Sequence, residues 1–168
     1  MRILMRSILS KYPGTPIALI LIVAFLIRLM GIGFGLPLWL VPDEATLIFG
    51  ALKMLELKTL IPAAHPEVFR LTFYYTPFIS YFYVFPFLSY IGFASVIKGV
   101  DLNILILLMR SDPSPFFLIA RFLAVLVGTG TVYLTYVLGF RLFKNKTTAL
   151  YAAGFLALSF LHSNFSHW

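Results

Sequence analysis

Long apolar runs separated by short polar breaks dominate the chain. The first begins at Ile17, behind Pro13 and Pro16, and continues to about residue 40, interrupted by Arg28 and loosened near its end by Gly31, Gly33, Gly35 and Pro37. A helix from about residue 16 to 34 would cover roughly 28 Å at about 1.5 Å per residue, enough for a bilayer core. Residues 17–27 also have the length of a secretory h-region, with Gly31/Gly33 as the only small-residue pair near them, so a signal peptide is the rival reading. Residues 44–58 predict a short amphipathic helix. Ile48, Ala51, Leu52 and Leu55 fall on one face at i, i+3, i+4, i+7, and Lys53 and Glu56 lie opposite. Such a helix is expected to lie on a membrane rather than cross it. Residues 59–70 read as a loop.

Residues 71–97 carry no charge and have the hydropathy of a span. Residues 102–109 are apolar but too short to cross, and Arg110 to Pro115 reads as a turn. A long run follows at 116–140, with Arg121 near its start. Arg141, Lys144 and Lys146 mark a polar hinge, and a last apolar run occupies 147–163. No repeat and no low-complexity tract is present.

Composition sharpens this picture. Hydrophobic residues make up 61% of the 168 and charged residues 11%. A soluble domain carries about a quarter charged residues, so lipid is expected to be part of the solvent. Cysteine is absent, which removes disulfides, thiolate chemistry and zinc–thiolate sites. The net charge of +7 is scattered between apolar runs, which argues for membrane topology rather than nucleic acid. Residues 1–15 (Arg2, Arg6, Lys11) and 141–148 each hold three basic residues and no acid, while all six acids fall between Asp43 and Asp112. The positive-inside rule places both basic segments in the cytoplasm and Asp43 outside. An odd number of crossings must then separate Asp43 from Arg141. The expectation is three spans, at about 16–40, 116–140 and 147–163, with residues 41–115 forming a loop and juxtamembrane helices at the outer face. Within it, 71–97 would lie at that face or dip in and return, bent by Pro77, Pro86 and Gly92.

The chemistry concentrates at Pro42-Asp43-Glu44. Two adjacent carboxylates beside a membrane are costly. One reading is a general base that takes a proton from an acceptor hydroxyl. The other is structural, an Asp N-cap with Glu complementing the helix dipole. His65, His162 and His167 are too widely spaced for a standard metal pattern and read as polar interface residues. Gly31-x-Gly33-x-Gly35 follows no strand, so it is no nucleotide fingerprint. Gly128 and Gly130 suit close helix packing. The glycosylation patterns at Asn145 and Asn164 read as chance matches.

Arg28-Leu29-Met30-Gly31-Ile32, then Gly35-Leu36-Pro37, then Pro42-Asp43-Glu44 resemble the start of a GT-C-type membrane glycosyltransferase. That group includes protein O-mannosyltransferases, the lipid A aminoarabinose transferase and bacterial transferases of the dolichyl-phosphate-mannose type. Tyr74-Tyr75-Thr76-Pro77 with Tyr81, Ala120 to Leu123, and Gly139-Phe140-Arg141-Leu142-Phe143 continue the likeness over nearly the whole chain. The resemblance implies an all-α membrane bundle and an inverting transfer from a polyprenyl-phosphate sugar to an acceptor hydroxyl outside the cytoplasm. It makes Asp43 the base, with Glu44 beside it. Some members carry a phosphate-binding Lys where Tyr75 and Thr76 stand here. That role would pass to another cation, with Arg28, Arg70 and Arg121 as candidates. Snorkelling or helix anchoring is the plainer role for Arg28 and Arg121, and a surface loop for Arg70. The candidate substrate contacts are thus Arg28, His65, Arg70, Tyr74, Tyr75 and Arg121. The expected partners are the bilayer, expected to be the plasma (inner) membrane, the lipid-linked sugar and an acceptor that is protein, lipid or glycan, with no nucleic acid. No cofactor is called for, and a divalent metal stays open. The family's second acid follows a later helix end, so residues 1–168 are expected to be an N-terminal part that is inactive alone. A transporter or lipid-handling protein, with Asp43 and Glu44 as an ion or proton site, is the alternative from another class. The topology is testable in this cysteine-free chain. A single Cys at position 145 should resist an impermeant thiol reagent applied from outside, and labelling there would reject the three-span arrangement.

Overall fold

The protein is described here from a computed structural model covering residues 15–38, 40, 42–75, 77–108 and 111–165. The basic start with Arg2, Arg6 and Lys11, and the positions Thr76, Arg110 and His167, lie outside these residues. Among the described residues all regular structure is helical: α1 (Thr15–Leu29), α2 (Pro42–Glu56), α3 (Pro66–Tyr74), α4 (Phe78–Lys98), α5 (Leu102–Leu108), α6 (Ser114–Phe143), α7 (Lys146–Leu158) and α8 (Phe160–Phe165), with one 3-10 turn at Pro62–Ala64. The chain divides into two compact units. One comprises Met1–Ile32 and Arg121–Trp168, and the other Gly33–Ala120.

In the first unit, Ala24, Val132, Ala153 and Ala157 form a buried cluster, with Ile17, Ile20, Leu21, Tyr136 and Leu156 packed against it. Ala149, Ala153 and Ala157 recur every fourth residue along α7, and all are buried. Small side chains at that spacing let helices approach closely. A Cβ at Gly139 would meet the Ala149 Cα at 3.3 Å. Asn145 caps α7: its Oδ1 accepts from the backbone N–H groups of Thr147 (2.9 Å) and Thr148 (3.2 Å).

The second unit is built on α2 packed against α4, with α3 also on α2 and α5 on α4. Its core is aromatic. Tyr83 stacks on Phe87 at 5.6 Å between centroids, and Phe87 meets Phe116 edge-on at 4.9 Å. Ser80 donates to the Leu47 carbonyl (2.9 Å) and Tyr81 to the Leu60 carbonyl (2.8 Å), so the start of α4 is pinned to α2 and to the loop after it.

Several boundaries differ from the sequence expectation. The first helix stops at Leu29 rather than near residue 34, because Gly31 adopts a φ of 82° that ends an α-helix, and turns follow to Leu38. Residues 59–70 are not all loop, since Pro66 and Glu67 open α3. The stretch 71–97 takes in the end of α3 at Tyr74 and then most of α4, a 21-residue helix from Phe78 to Lys98 with Pro86 inside it. The turn at Arg110–Pro115 gives way to α6 at Ser114, which runs unbroken for 30 residues. The run 147–163 breaks at Ser159, whose ψ of 117° is extended.

α4 and α6 are long and apolar enough to cross a membrane, with only 28% and 33% of their apolar windows buried. Core helices of a soluble domain would be mostly covered. Here Phe85, Val96 and Leu134 are among many large apolar side chains left exposed.

Gly50 lets three elements meet. A Cβ there would lie 2.7 Å from the Ser80 Oγ and 2.8 Å from the Thr72 Oγ1, both of buried residues. In a free helix Ala would be favoured over Gly by about 1 kcal/mol. Overpacking a core costs about 1–3 kcal/mol, and displacing Ser80 also breaks its bond to Leu47. Gly50→Ala should therefore be a net loss of about 1 kcal/mol or more, read as a lower denaturation midpoint in detergent. An unchanged or raised midpoint would refute this close packing.

Candidate functional site

Helix α2 starts at Pro42, so Asp43 and Glu44 sit in its first turn rather than at the cap position. Negative charge in a first turn gains about 0.3–1 kcal/mol from the helix dipole. The two carboxylates then diverge. Asp43 is exposed, while Glu44 is 5% exposed and shares the buried face with Ile48, Ala51 and Met54. That face runs 44, 48, 51, which turns the amphipathic stripe slightly from the predicted one: Leu52 and Leu55 are only partly covered.

Asp43 is held by Tyr75. The Tyr75 hydroxyl donates to the Asp43 Oδ1 at 2.7 Å. Tyr75 stands just past the end of α3, and its ring meets Tyr74 edge-on at 5.0 Å. The carboxylate, through this hydrogen bond first and burial second, raises the pKa of the Tyr75 phenol. Two residues singled out separately in the sequence thus form one pair across 32 positions.

A cleft of about 710 Å³ lies beside this pair in sequence. Its walls are α2 (Ala45, Thr46, Gly50, Lys53) and α3 (Glu67, Arg70). Arg70 is exposed and has no hydrogen-bond or ion-pair partner among the described residues. Lys53 donates to the Val68 carbonyl at 3.1 Å. Phe49 and Lys53 also line a smaller, mainly apolar pocket of about 180 Å³ with Leu52, Ile91, Ile106 and Phe116. The sequence had assigned Lys53 only to a solvated face. His65 pairs loosely with Glu67 at 3.8 Å. No group of three metal-ligating side chains occurs among the described residues.

Arg28 and Arg121 belong to the other unit, and both have backbone partners. Arg121, 1% exposed, donates to the Ile32 carbonyl at 2.7 Å. Arg28 is fully buried and donates to the carbonyls of Ala24, Ala157 and Leu156 and to the His162 Nδ1. These contacts fit helix anchoring. The sequence offered no signal pairing Arg28 with His162, 134 positions away.

Compared with known proteins, the chain matches no family model, no curated protein and no solved structure.

The Asp43–Tyr75 pair has a spectroscopic consequence. Asp43→Asn removes the charge that opposes phenolate formation, so Tyr75 should ionise closer to the ordinary tyrosine value. Ultraviolet titration, with Tyr75→Phe used to isolate this one residue, checks it. An unshifted Tyr75 titration would break the pair.

Proposed function

We propose that this chain acts in a membrane as a glycosyltransferase of the GT-C type. A sugar carried on polyprenyl phosphate is transferred with inversion to an acceptor hydroxyl on the extracytoplasmic face, and Asp43 is the general base. Asp43 takes the hydroxyl proton as the acceptor oxygen attacks the anomeric carbon. The bond from that carbon to the phosphate oxygen breaks, and polyprenyl phosphate leaves.

The observation that carries this reading is the exposed Asp43 carboxylate oriented by Tyr75. A base needs one oxygen free to reach its proton, and fixing the other restricts the side chain to a useful rotamer. Two further features support it. The α2/α3 cleft offers Lys53 and Arg70 to a phosphate, and the adjoining apolar pocket suits the start of an isoprenoid tail. The largely uncovered α4 and α6 suit a bilayer setting.

The test is Asp43→Asn in the full-length protein, assayed in membranes with a polyprenyl-phosphate sugar. Asn keeps the shape but accepts no proton, and base assistance is typically worth about 10²–10⁴ in rate. A loss of at least about a hundredfold in kcat is expected, with the melting temperature nearly unchanged. Near-normal turnover would reject the base role. Ion or proton flux that is lost in the same variant, with no sugar transfer by the parent, would favour a transporter instead.

A further inference from the structure

The first unit carries eight basic residues and no acid, while the second holds five basic residues and all six acids. Three of the eight, Arg141, Lys144 and Lys146, stand where α6 ends and α7 begins, and all three are exposed. Leu142 and Phe143 between them are exposed as well, at 67% and 65%. The turn that gathers them is fixed at both ends. Gly139 brings α6 so close to α7 that a Cβ there would lie 3.3 Å from the Ala149 Cα, and Ala149 is fully buried. Between these anchors Lys144 takes a left-handed φ of 51°, its N–H donates to the Phe140 carbonyl at 2.9 Å, and Asn145 caps α7. The chain therefore reverses within a few residues, and the three cations are confined to one end of one hairpin.

Their depth follows from the same helix. Residues 122–140 carry no charge. At about 1.5 Å per residue they cover roughly 28 Å, which matches a bilayer core of about 30 Å. Arg141 thus meets the headgroups, and Lys144 and Lys146 lie at that level with it. Helix dipoles favour only one of the helix-end cations. Arg141 sits in the last turn of α6, where a cation is stabilised, but Lys146 opens α7, where it is not. Residues 1–32 and 121–168 contain no Asp or Glu to offset them. The α7 amides are already served, because the Asn145 Oδ1 accepts from the N–H groups of Thr147 and Thr148. What the hairpin end presents is therefore side-chain cations beside exposed apolar side chains, the chemistry that attracts an anionic lipid.

We propose that this hairpin end binds the headgroup of an anionic phospholipid. Arg141 and Lys144 meet the headgroup phosphate, Lys146 adds charge beside it, and Leu142 and Phe143 lie against the acyl chains. Each basic residue at a membrane surface favours an anionic over a zwitterionic lipid by about fivefold. The site rests on the membrane setting of the function proposed above and is independent of sugar transfer.

Thr148 is exposed beside the turn, and the chain has no native cysteine. Thr148→Cys carrying a bimane fluorophore, in phosphatidylcholine vesicles, is quenched by neighbouring lipids with brominated acyl chains. Brominated phosphatidylglycerol should reach half-quenching at a mole fraction about twentyfold below that of brominated phosphatidylcholine, and Arg141→Gln or Lys144→Gln should each narrow that gap by about fivefold. Lys98→Gln removes an equal charge at the end of α4, in the other unit, and should leave the gap unchanged. Equal quenching by the two lipids in the parent overturns the proposal. So does a preference that survives the double substitution at Arg141 and Lys144, or one that falls as much with Lys98→Gln. The membrane setting is read separately. A chain that alkaline carbonate strips from the vesicles is not embedded, which overturns that setting and this site together. A chain that stays embedded yet shows no preference overturns the site alone.

Discussion

A buried guanidinium with no carboxylate in its own unit is the constraint on which the first unit depends. Arg28 is fully buried among α1, α7 and α8, and residues 1–32 and 121–168 hold no acid to pair with it. Burying an unpaired charge is costly, so its hydrogens must find strong acceptors. The acceptors are the Ala24 carbonyl on its own helix, the Leu156 and Ala157 carbonyls in the last turn of α7, and the His162 Nδ1. The α7 carbonyls are available because the helix breaks at Ser159. The same break starts α8 and brings His162 to the guanidinium. One cation thus ties α1, the end of α7 and α8 together. Its Nε has no hydrogen-bond partner among the described residues.

The second unit solves a different problem. It holds acids and bases in near balance, and its cohesion comes from aromatic packing around Phe87 and Phe116 together with buried Thr72 and Ser80. That division suits the chemistry proposed for it. Packing of α2 on α4, with Ser80 bonded to Leu47, and the bond from Tyr75 set where Asp43 stands. Gly50 allows α2 to sit close enough to Thr72 and Ser80 for the cleft wall to be formed by two short helices rather than by loops.

Much of this architecture was legible in the sequence. Apolar runs of the right length located α1, α4, α6 and α7, and the i, i+3, i+4 stripe located α2. The boundaries were harder. Hydropathy cannot distinguish an apolar helix from apolar turns, so Met30 to Leu38 was drawn into the first span although Gly31 ends it. Pro66 was taken as a loop residue, yet its fixed φ suits a helix start as well. The pair at the candidate site was half visible. Asp43 and Tyr75 were each chosen for their own chemistry, but a contact 32 positions apart depends on how α2 and α3 pack. Arg28–His162 was less visible still. A cation in an apolar run announces that it needs partners without saying which, and a carbonyl acceptor leaves no mark in the sequence.

That the residue bonded to Asp43 is a tyrosine and not a lysine has a consequence for the proposed reaction. A lysine beside Asp43 would neutralise the base and supply charge to a phosphate at once. A phenol does neither. It donates one hydrogen bond to Oδ1 and leaves the carboxylate its full negative charge, which favours proton abstraction but would repel a phosphate brought close to it. The phosphate would then have to be met by cations away from the base. Lys53 and Arg70 line the α2/α3 cleft, on the two helices whose ends carry Asp43 and Tyr75. Separating the base from the phosphate site in this way keeps an unneutralised carboxylate for the acceptor, at the cost of requiring a cleft wide enough to hold the donor's head at some distance from it.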